Sequence, residues 1–259
     1  MMARIISLCN QKGGVGKSTT AQNLAVFLSA LGSRVLVVDM DPQANATSGM
    51  GLNPRRLRHS LYDALIGRAS AEEVIQKTGL SGVDMLPAVA AMAGAGIELV
   101  DMPNREYKLK EVLAPLRDRY DFIIVDSPPS MGLLTLNALT AASRIIIPVQ
   151  CEYYALEGLA DLLETIQMVN ANLKAKISIM GAVLTMYDRK SRLHREVAEE
   201  IRRKFRGYVF DAVIPRNARL AEAPSFGKTI LQYDPYSHGA KAYRALAEEV
   251  LQLEGLRVV

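Results

Sequence analysis

Residues 10 to 20 read Asn-Gln-Lys-Gly-Gly-Val-Gly-Lys-Ser-Thr-Thr, with two lysines, a serine and three glycines in one short stretch. Gly13, Gly14 and Gly16 let the backbone turn its N–H groups toward a single point, and a helix opening near Lys17 aims its positive dipole end at the same point. Polyphosphate is the natural occupant. Lys17 reaches its outer phosphates as a point charge, and the Ser18 hydroxyl takes one position on a magnesium ion that also touches them. The strict phosphate-loop pattern would place a glycine where Gln11 stands. Lys12 adds a second ammonium at the mouth of the loop, more than one triphosphate site needs.

Three carboxylates stand where such chemistry would use them. Asp39 and Asp41 follow the apolar run Val35 to Val38, and Asp126 closes the run Phe122 to Val125. In a parallel open sheet the ligand sits beyond the carboxyl ends of the strands, so all three are expected to face the crevice of the glycine loop. Asp39 or Asp41 would hold a water for attack on phosphorus, the bland alternative being an Asp-Pro turn with a capping aspartate. Asp126 would bind magnesium through water opposite Ser18. Asn217, after a run ending at Ile214, has the amide donor and acceptor to read an adenine edge, although a turn asparagine is the commoner reason for one there.

The elements that must position these groups follow from periodicity. A strand over Ile5 to Cys9 precedes a helix carrying Ala21, Leu24, Ala25, Leu28 and Leu31. Further strands are expected at Arg34–Val38, Val83–Leu86, Asp121–Val125, Arg144–Val149, Ile177–Met186 and Tyr208–Ile214. Helices are expected over Lys108–Arg119 and Leu156–Asn172, with a closing one through Ala242, Leu246, Val250 and Leu253. Residues 54 to 104 read as an insertion packed on the sheet edge, with Arg55, Arg56 and Arg58 in a solvated loop. The alternation predicts an α/β fold with a mostly parallel twisted sheet and helices on both faces, in one domain over residues 1–259, and the glycine loop between its first strand and helix makes that fold a P-loop NTPase.

Composition narrows the classes further. The chain has 259 residues, two cysteines without motif spacing and three scattered histidines, so neither a disulfide nor a metal cluster is expected. The first strand begins by residue 4 and no apolar run reaches the roughly 18 residues of a membrane span, which predicts a cytoplasmic chain without a leader. Net charge is +4. Arg189 to Arg206 alone holds eight basic and three acidic residues, a net +5, leaving the rest nearly neutral. On a helical wheel Leu193, Val197, Ile201 and Phe205 form the core stripe, with Arg195, Arg202 and Arg206 on the opposite side. No aromatic residue shares that face, so it suits sequence-independent contact with phosphates; an ordinary solvated helix face would look the same.

These residues carry a family resemblance. Lys12-Gly-Gly-Val-Gly-Lys-Ser-Thr19, Asp39-Met-Asp-Pro-Gln-Ala-Asn-Ala-Thr-Ser48, Asp126-Ser-Pro-Pro-Ser130, Pro148-Val-Gln-Cys-Glu-Tyr-Tyr-Ala-Leu-Glu-Gly158, and Ile214-Pro-Arg-Asn217 with Glu222-Ala-Pro-Ser225, resemble the ParA/Soj chromosome- or plasmid-partitioning ATPases with a deviant Walker A motif. The resemblance implies an ATP-dependent homodimer in which Lys12 reaches the partner's phosphates. It also implies that Lys12, Gly13, Gly14, Val15, Gly16, Lys17, Ser18 and Thr19 hold ATP, that Ser18 and Asp126 serve Mg2+, that Asp41 orients the hydrolytic water, and that Pro215 and Asn217 border the adenine. Nonspecific double-stranded DNA and a ParB-type centromere-binding protein are the implied partners, with nucleoid association, and Arg189 and Arg219 match positions implicated in DNA contact. Ala44 stands where the family usually has glycine and Ser18 where threonine is commoner. A membrane-associated, MinD-like septum-site regulator is the alternative; Glu248, Glu249 and Glu254 on the closing helix speak against a membrane. An iron-sulfur reductase would need a bridging cysteine pair, for which Cys9 in a core strand is poorly placed.

Overall fold

The structure, a computed structural model, describes residues 2–173 and 175–256. Its strands are β1 (Arg4–Leu8), β2 (Val35–Asp39), β3 (Gln76–Lys77), β4 (Val83–Leu86), β5 (Phe122–Asp126), β6 (Arg144–Gln150) and β7 (Ser178–Thr185). They form one sheet in the order β3-β4-β2-β5-β1-β6-β7. All pairings are parallel except the short edge pair β3–β4. Helices of nine residues or more are α1 (Lys17–Ala30), α2 (Leu133–Ala141), α3 (Ala155–Asn172), α4 (Arg192–Lys204) and α5 (His238–Leu253).

Side-chain alternation along the central strands sorts residues between the two faces. Ile6 and Leu8, Val35 and Val37, and Ile124 join α1 and α5 in one cluster. Ile5, Leu36 and Val38, and Ile123 and Val125 join α2 and the segment 61–99 in another. Both faces are therefore covered, and β2 and β5 are buried along their whole length. Their carboxyl ends lie side by side, because Asp39 pairs in register with Asp126. That pairing brings acids 87 positions apart in sequence to adjacent positions at one end of the sheet.

Three expectations change. Residues 54–104 do supply the sheet edge through β3 and β4, but Leu61, Leu65, Val74, Met92 and Leu99 are also fully buried as one face's cover. The helix expected over Lys108–Arg119 runs only over Lys108–Leu113 before a 3-10 turn, since Pro115 lacks the N–H that an α-helix would use. No strand forms over Tyr208–Ile214: there are isolated bridges at Ala182 to Val209 and Tyr187 to Pro215. In that segment the Asp211 and Ala212 N–H groups donate to the Glu249 carboxylate on α5 (2.8 and 3.0 Å), which replaces a strand partner.

Ala44 takes the left-handed conformation, at φ 53°. For a residue with a Cβ this costs roughly 1–2 kcal/mol, which is the physical reason a glycine suits this position.

Candidate functional site

The turn joining β1 to α1 is held from three strands. Ser127 Oγ, just past β5, donates to the Leu8 carbonyl (2.6 Å), Asn10 Nδ2 donates to the Pro148 carbonyl on β6 (2.7 Å), and Thr185 Oγ1 at the end of β7 donates to the Val15 carbonyl (2.8 Å). Gly14 and Gly16 take positive φ values of 75° and 93°, and Gly16 sits at the N-terminal end of α1. These are backbone angles that a side chain would strain. A rigid loop ending in a helix N-terminus presents its N–H groups to an anion without further ordering.

In front of the loop lies a cavity of about 570 Å3, lined by Gly13, Gly14, Gly16, Lys17, Ser18 and Thr19 together with Asp41, Gln43, Asn45, Ser48 and Pro129. A second cavity, about 210 Å3, adjoins it through the shared residues Gly16, Thr19 and Met186 and is lined by Pro215, Asn217, Leu220 and Tyr243. The larger space is the more polar of the two and lies against the glycine loop; the other is smaller and largely apolar. That division suits a triphosphate and a base. Asn217 caps a short helix, its Oδ1 accepting from the Arg219 and Leu220 N–H groups (2.8 and 3.3 Å), so its Nδ2 is the group left to meet a ring acceptor. The turn role is thus met, and it does not use up the side chain's donor.

Lys17 is 6% exposed and its Nζ donates to the Lys12 carbonyl at 3.0 Å. Burial lowers its pKa, while the charges of Asp126, Cys9 and Asp41 oppose that shift. Asp126 is fully buried, both carboxylate oxygens lack a hydrogen-bond partner among the described residues, and burial followed by the Asp39 charge raises its pKa well above the carboxylate range. The Ser18 hydroxyl and Lys17 act in the other direction. An orphaned buried carboxylate beside a serine hydroxyl fits a hydrated magnesium ion, a hard cation that takes oxygen ligands and keeps most of its waters.

Asp39 and Asp41 separate in role. Asp41 lines the larger cavity, and its Oδ1 accepts the Gln43 N–H at 2.9 Å. Asp39 does not face the crevice: it is fully buried and both oxygens are spent on the chain, Oδ1 on Asp41 N–H (3.0 Å) and Oδ2 on the Thr47 N–H and hydroxyl (2.8 and 2.7 Å). Burial pushes its carboxyl up to about 6, while the hydrogen bonds from Thr47 and the Asp41 N–H act in the other direction. Lys12 does not line the cavity: it is exposed, its Nζ donating to Glu152 Oε2 at 2.6 Å.

The arginines expected in one stripe are all exposed but differ in their partners. Arg202 is pinned to the chain, donating to the Val209 and Phe210 carbonyls (3.4 and 3.0 Å), and Arg195 donates to the Arg189 carbonyl at 2.8 Å. Arg206 lies beyond the end of α4, while Arg219 pairs with Glu222 (3.0 Å) and Asp234 (3.7 Å). Leu193, expected in the core stripe, is 42% exposed because α4 packs through Val197, Ala198 and Ile201 instead. Arg189 and Arg206 are the members of the set whose side chains make no hydrogen bond or ion pair among the described residues. Replacing both by alanine should therefore weaken duplex binding and lower the salt slope by about 0.9 for each phosphate that is no longer neutralised. Arg202→Ala should instead lower the thermal midpoint, since it leaves the two carbonyls without their donor. Titrations at several salt concentrations, with melting curves, separate the two effects.

Met186 was not visible from the sequence as a site residue. It lines both cavities and holds a left-handed φ of 50°, and no local motif signals that. Tyr243, from α5, closes the smaller cavity and shares a hydrogen bond with Thr20 Oγ1 at 3.1 Å; only the folded chain brings it there.

Residues 3–179 match a family described as an AAA domain. The chain is 50% identical over 249 residues to the sporulation initiation inhibitor protein Soj of Bacillus subtilis, covering 96% of this chain and 98% of that one. It is 47% identical over 251 residues to the chromosome partitioning protein ParA of Myxococcus xanthus, covering 97% and 89% respectively. Among solved structures, cobyrinic acid a,c-diamide synthase from Mycobacterium smegmatis with bound ADP and magnesium superposes with a TM-score of 0.87 at 35% identity, covering 98% of this chain and 96% of that one.

Proposed function

Because the chain belongs to the ParA/Soj family of chromosome-partitioning ATPases, we propose that it is an ATPase whose nucleotide-driven pairing creates a surface for double-stranded DNA, with release triggered by a ParB-type protein. The observation that supports this reading best is the division of labour on one glycine loop. Lys17 is buried against the phosphate cavity, whereas Lys12, five residues earlier, faces outward and is free to exchange its partner. A cation directed away from its own subunit's phosphates serves a second subunit's.

ATP occupies the paired cavities, its phosphates on the loop from Gly13 to Thr19 and its base toward Pro215 and Asn217. Ser18 and Asp126 would hold magnesium, which supplies charge neutralisation across the phosphate oxygens. Lys17 contributes a fixed positive charge where negative charge accumulates on the outer phosphates. Asp41, at the cavity wall, accepts a hydrogen bond from the attacking water and aims it. Its first oxygen is occupied by Gln43 N–H and its second has no partner among the described residues. The products are ADP and inorganic phosphate, and one domain over residues 1–259 carries the whole cycle.

A membrane-bound septum-site role gains no comparable support. No helix of the described residues is long and apolar enough to cross a membrane. The apolar stripe of α5, including Tyr243, Leu246 and Val250, is spent in the core, and Glu249 on its outer side holds Asp211 and Ala212. Cys9 and Cys151 are both buried, so neither is presented at the surface to bridge a cluster with a second subunit.

Asp41→Ala tests the assignment. Turnover should fall by about 10²-fold or more with ATP affinity kept, so that the ATP-bound dimer accumulates on DNA. Rapid hydrolysis by this variant, in a phosphate-release assay, would move the water-orienting role elsewhere.

A further inference from the structure

We infer that Asp39 and Thr47 are positioning residues for hydrolysis: together they clamp the loop from Met40 to Thr47 so that Asp41 is presented to the cavity in one orientation. The inference deepens the proposed function and rests on its reading of Asp41. Asp39 ends β2, at a position locked by pairing with Asp126 on β5. From there one carboxylate spans the loop, accepting the Asp41 N–H at one oxygen and the Thr47 N–H and hydroxyl at the other.

The Thr47 hydroxyl is used twice. It donates to Asp39 and accepts the Ala88 N–H at 2.9 Å, tying the far end of the loop to the segment that follows β4. One anchor is the end of β2 and the other is Thr47, in the short helix Asn45–Gly49 and tied to the segment after β4, whereas the turn between them carries the left-handed Ala44 and the cavity residues Asp41 and Gln43. Asp39 and Thr47 are both fully buried and neither lines a cavity, so neither can contact nucleotide directly. Their influence on chemistry passes through the backbone of Asp41. An acid that must aim a water is sensitive to this, because displacement by about 1 Å can cost about 10²-fold in rate.

The test uses the full chain with MgATP and duplex DNA, measuring kcat, ATP affinity and thermal midpoint for four variants. Thr47→Val keeps the side chain's volume and removes the hydroxyl; kcat should fall about tenfold or more with ATP affinity within about twofold of the parent. Thr47→Ser keeps the hydroxyl and should restore turnover. Asp39→Asn turns a donor toward donors and should lower kcat by about 10²-fold, again with ATP binding retained. A purely structural role would lower the thermal midpoint and leave kcat per folded molecule unchanged in Thr47→Val, and that result overturns the clamp. So does a parallel loss of kcat and ATP affinity. Asp41→Ala run alongside separates the two levels. Full turnover there removes the reading of Asp41, whereas slow turnover there with parental kcat in Thr47→Val and Asp39→Asn removes only the clamp.

Discussion

Lys17→Ala should remove most ATP binding, with an affinity loss of about 30-fold or more in a calorimetric titration. The size follows from where the ammonium sits. Lys17 is almost fully buried at the first turn of α1, with its Nζ on the Lys12 carbonyl and the loop closed around it. Removing one partner of a desolvated, hydrogen-bonded charge pair costs about 2–5 kcal/mol, and a triphosphate left without that partner has no substitute within the loop. The fold should persist, because alanine is the best helix former and the position opens a helix. Retained affinity in a folded Lys17→Ala protein would remove the phosphate-loop reading altogether.

Lys12→Ala should behave differently: it should bind ATP within a few-fold of the parent protein and remain a single subunit in light scattering, while the parent dimerises with ATP. The structure explains why Lys12 can be spared for this. Its ion pair with Glu152 is exposed, the two side chains retaining 48% and 43% of their accessible surface, and a pair of that kind contributes only about 0–1 kcal/mol. A partner's phosphates, held by charge-assisted hydrogen bonds in a closed interface, outweigh it. The loop itself does not depend on the ammonium, because the Lys12 backbone is fixed independently: its N–H donates to Asn10 Oδ1 at 2.9 Å and its carbonyl accepts from Lys17. ATP-driven dimerisation of Lys12→Ala would overturn the cross-subunit role.

Much of the phosphate end was legible because its signals are local. A strand, a glycine turn and a helix start lie within about twenty residues, so Gly13 to Thr19 could be placed by spacing alone. The place of Asp126 at a strand end was legible for a related reason, as a carboxylate closing an apolar run. Asp39 and Asp41 show where that logic stops. Two residues apart on one strand end, they look equivalent in sequence, and only the hydrogen bonds to Thr47 show that one is spent inside while the other faces the cavity.

The base end depends on long-range contacts with no local signature. Met186 and Tyr243 reach it from the end of β7 and from α5, and the stretch from Tyr208 to Ile214 keeps a strand's composition while Glu249 takes the N–H groups of Asp211 and Ala212. The partners of the arginines were unreadable for a similar reason: a helical wheel orders Cα positions, but Arg202 turns back onto carbonyls that follow the helix.

Duplex binding by the parent protein, compared with ATP, ADP and no nucleotide while oligomeric state is followed in the same samples, tests the central claim most directly. The account predicts a dimer that binds duplexes of unrelated sequence with ATP, and a single subunit that binds weakly with ADP or without nucleotide. A protein that stays a single subunit with ATP, or whose DNA affinity is the same in all three conditions, would contradict it.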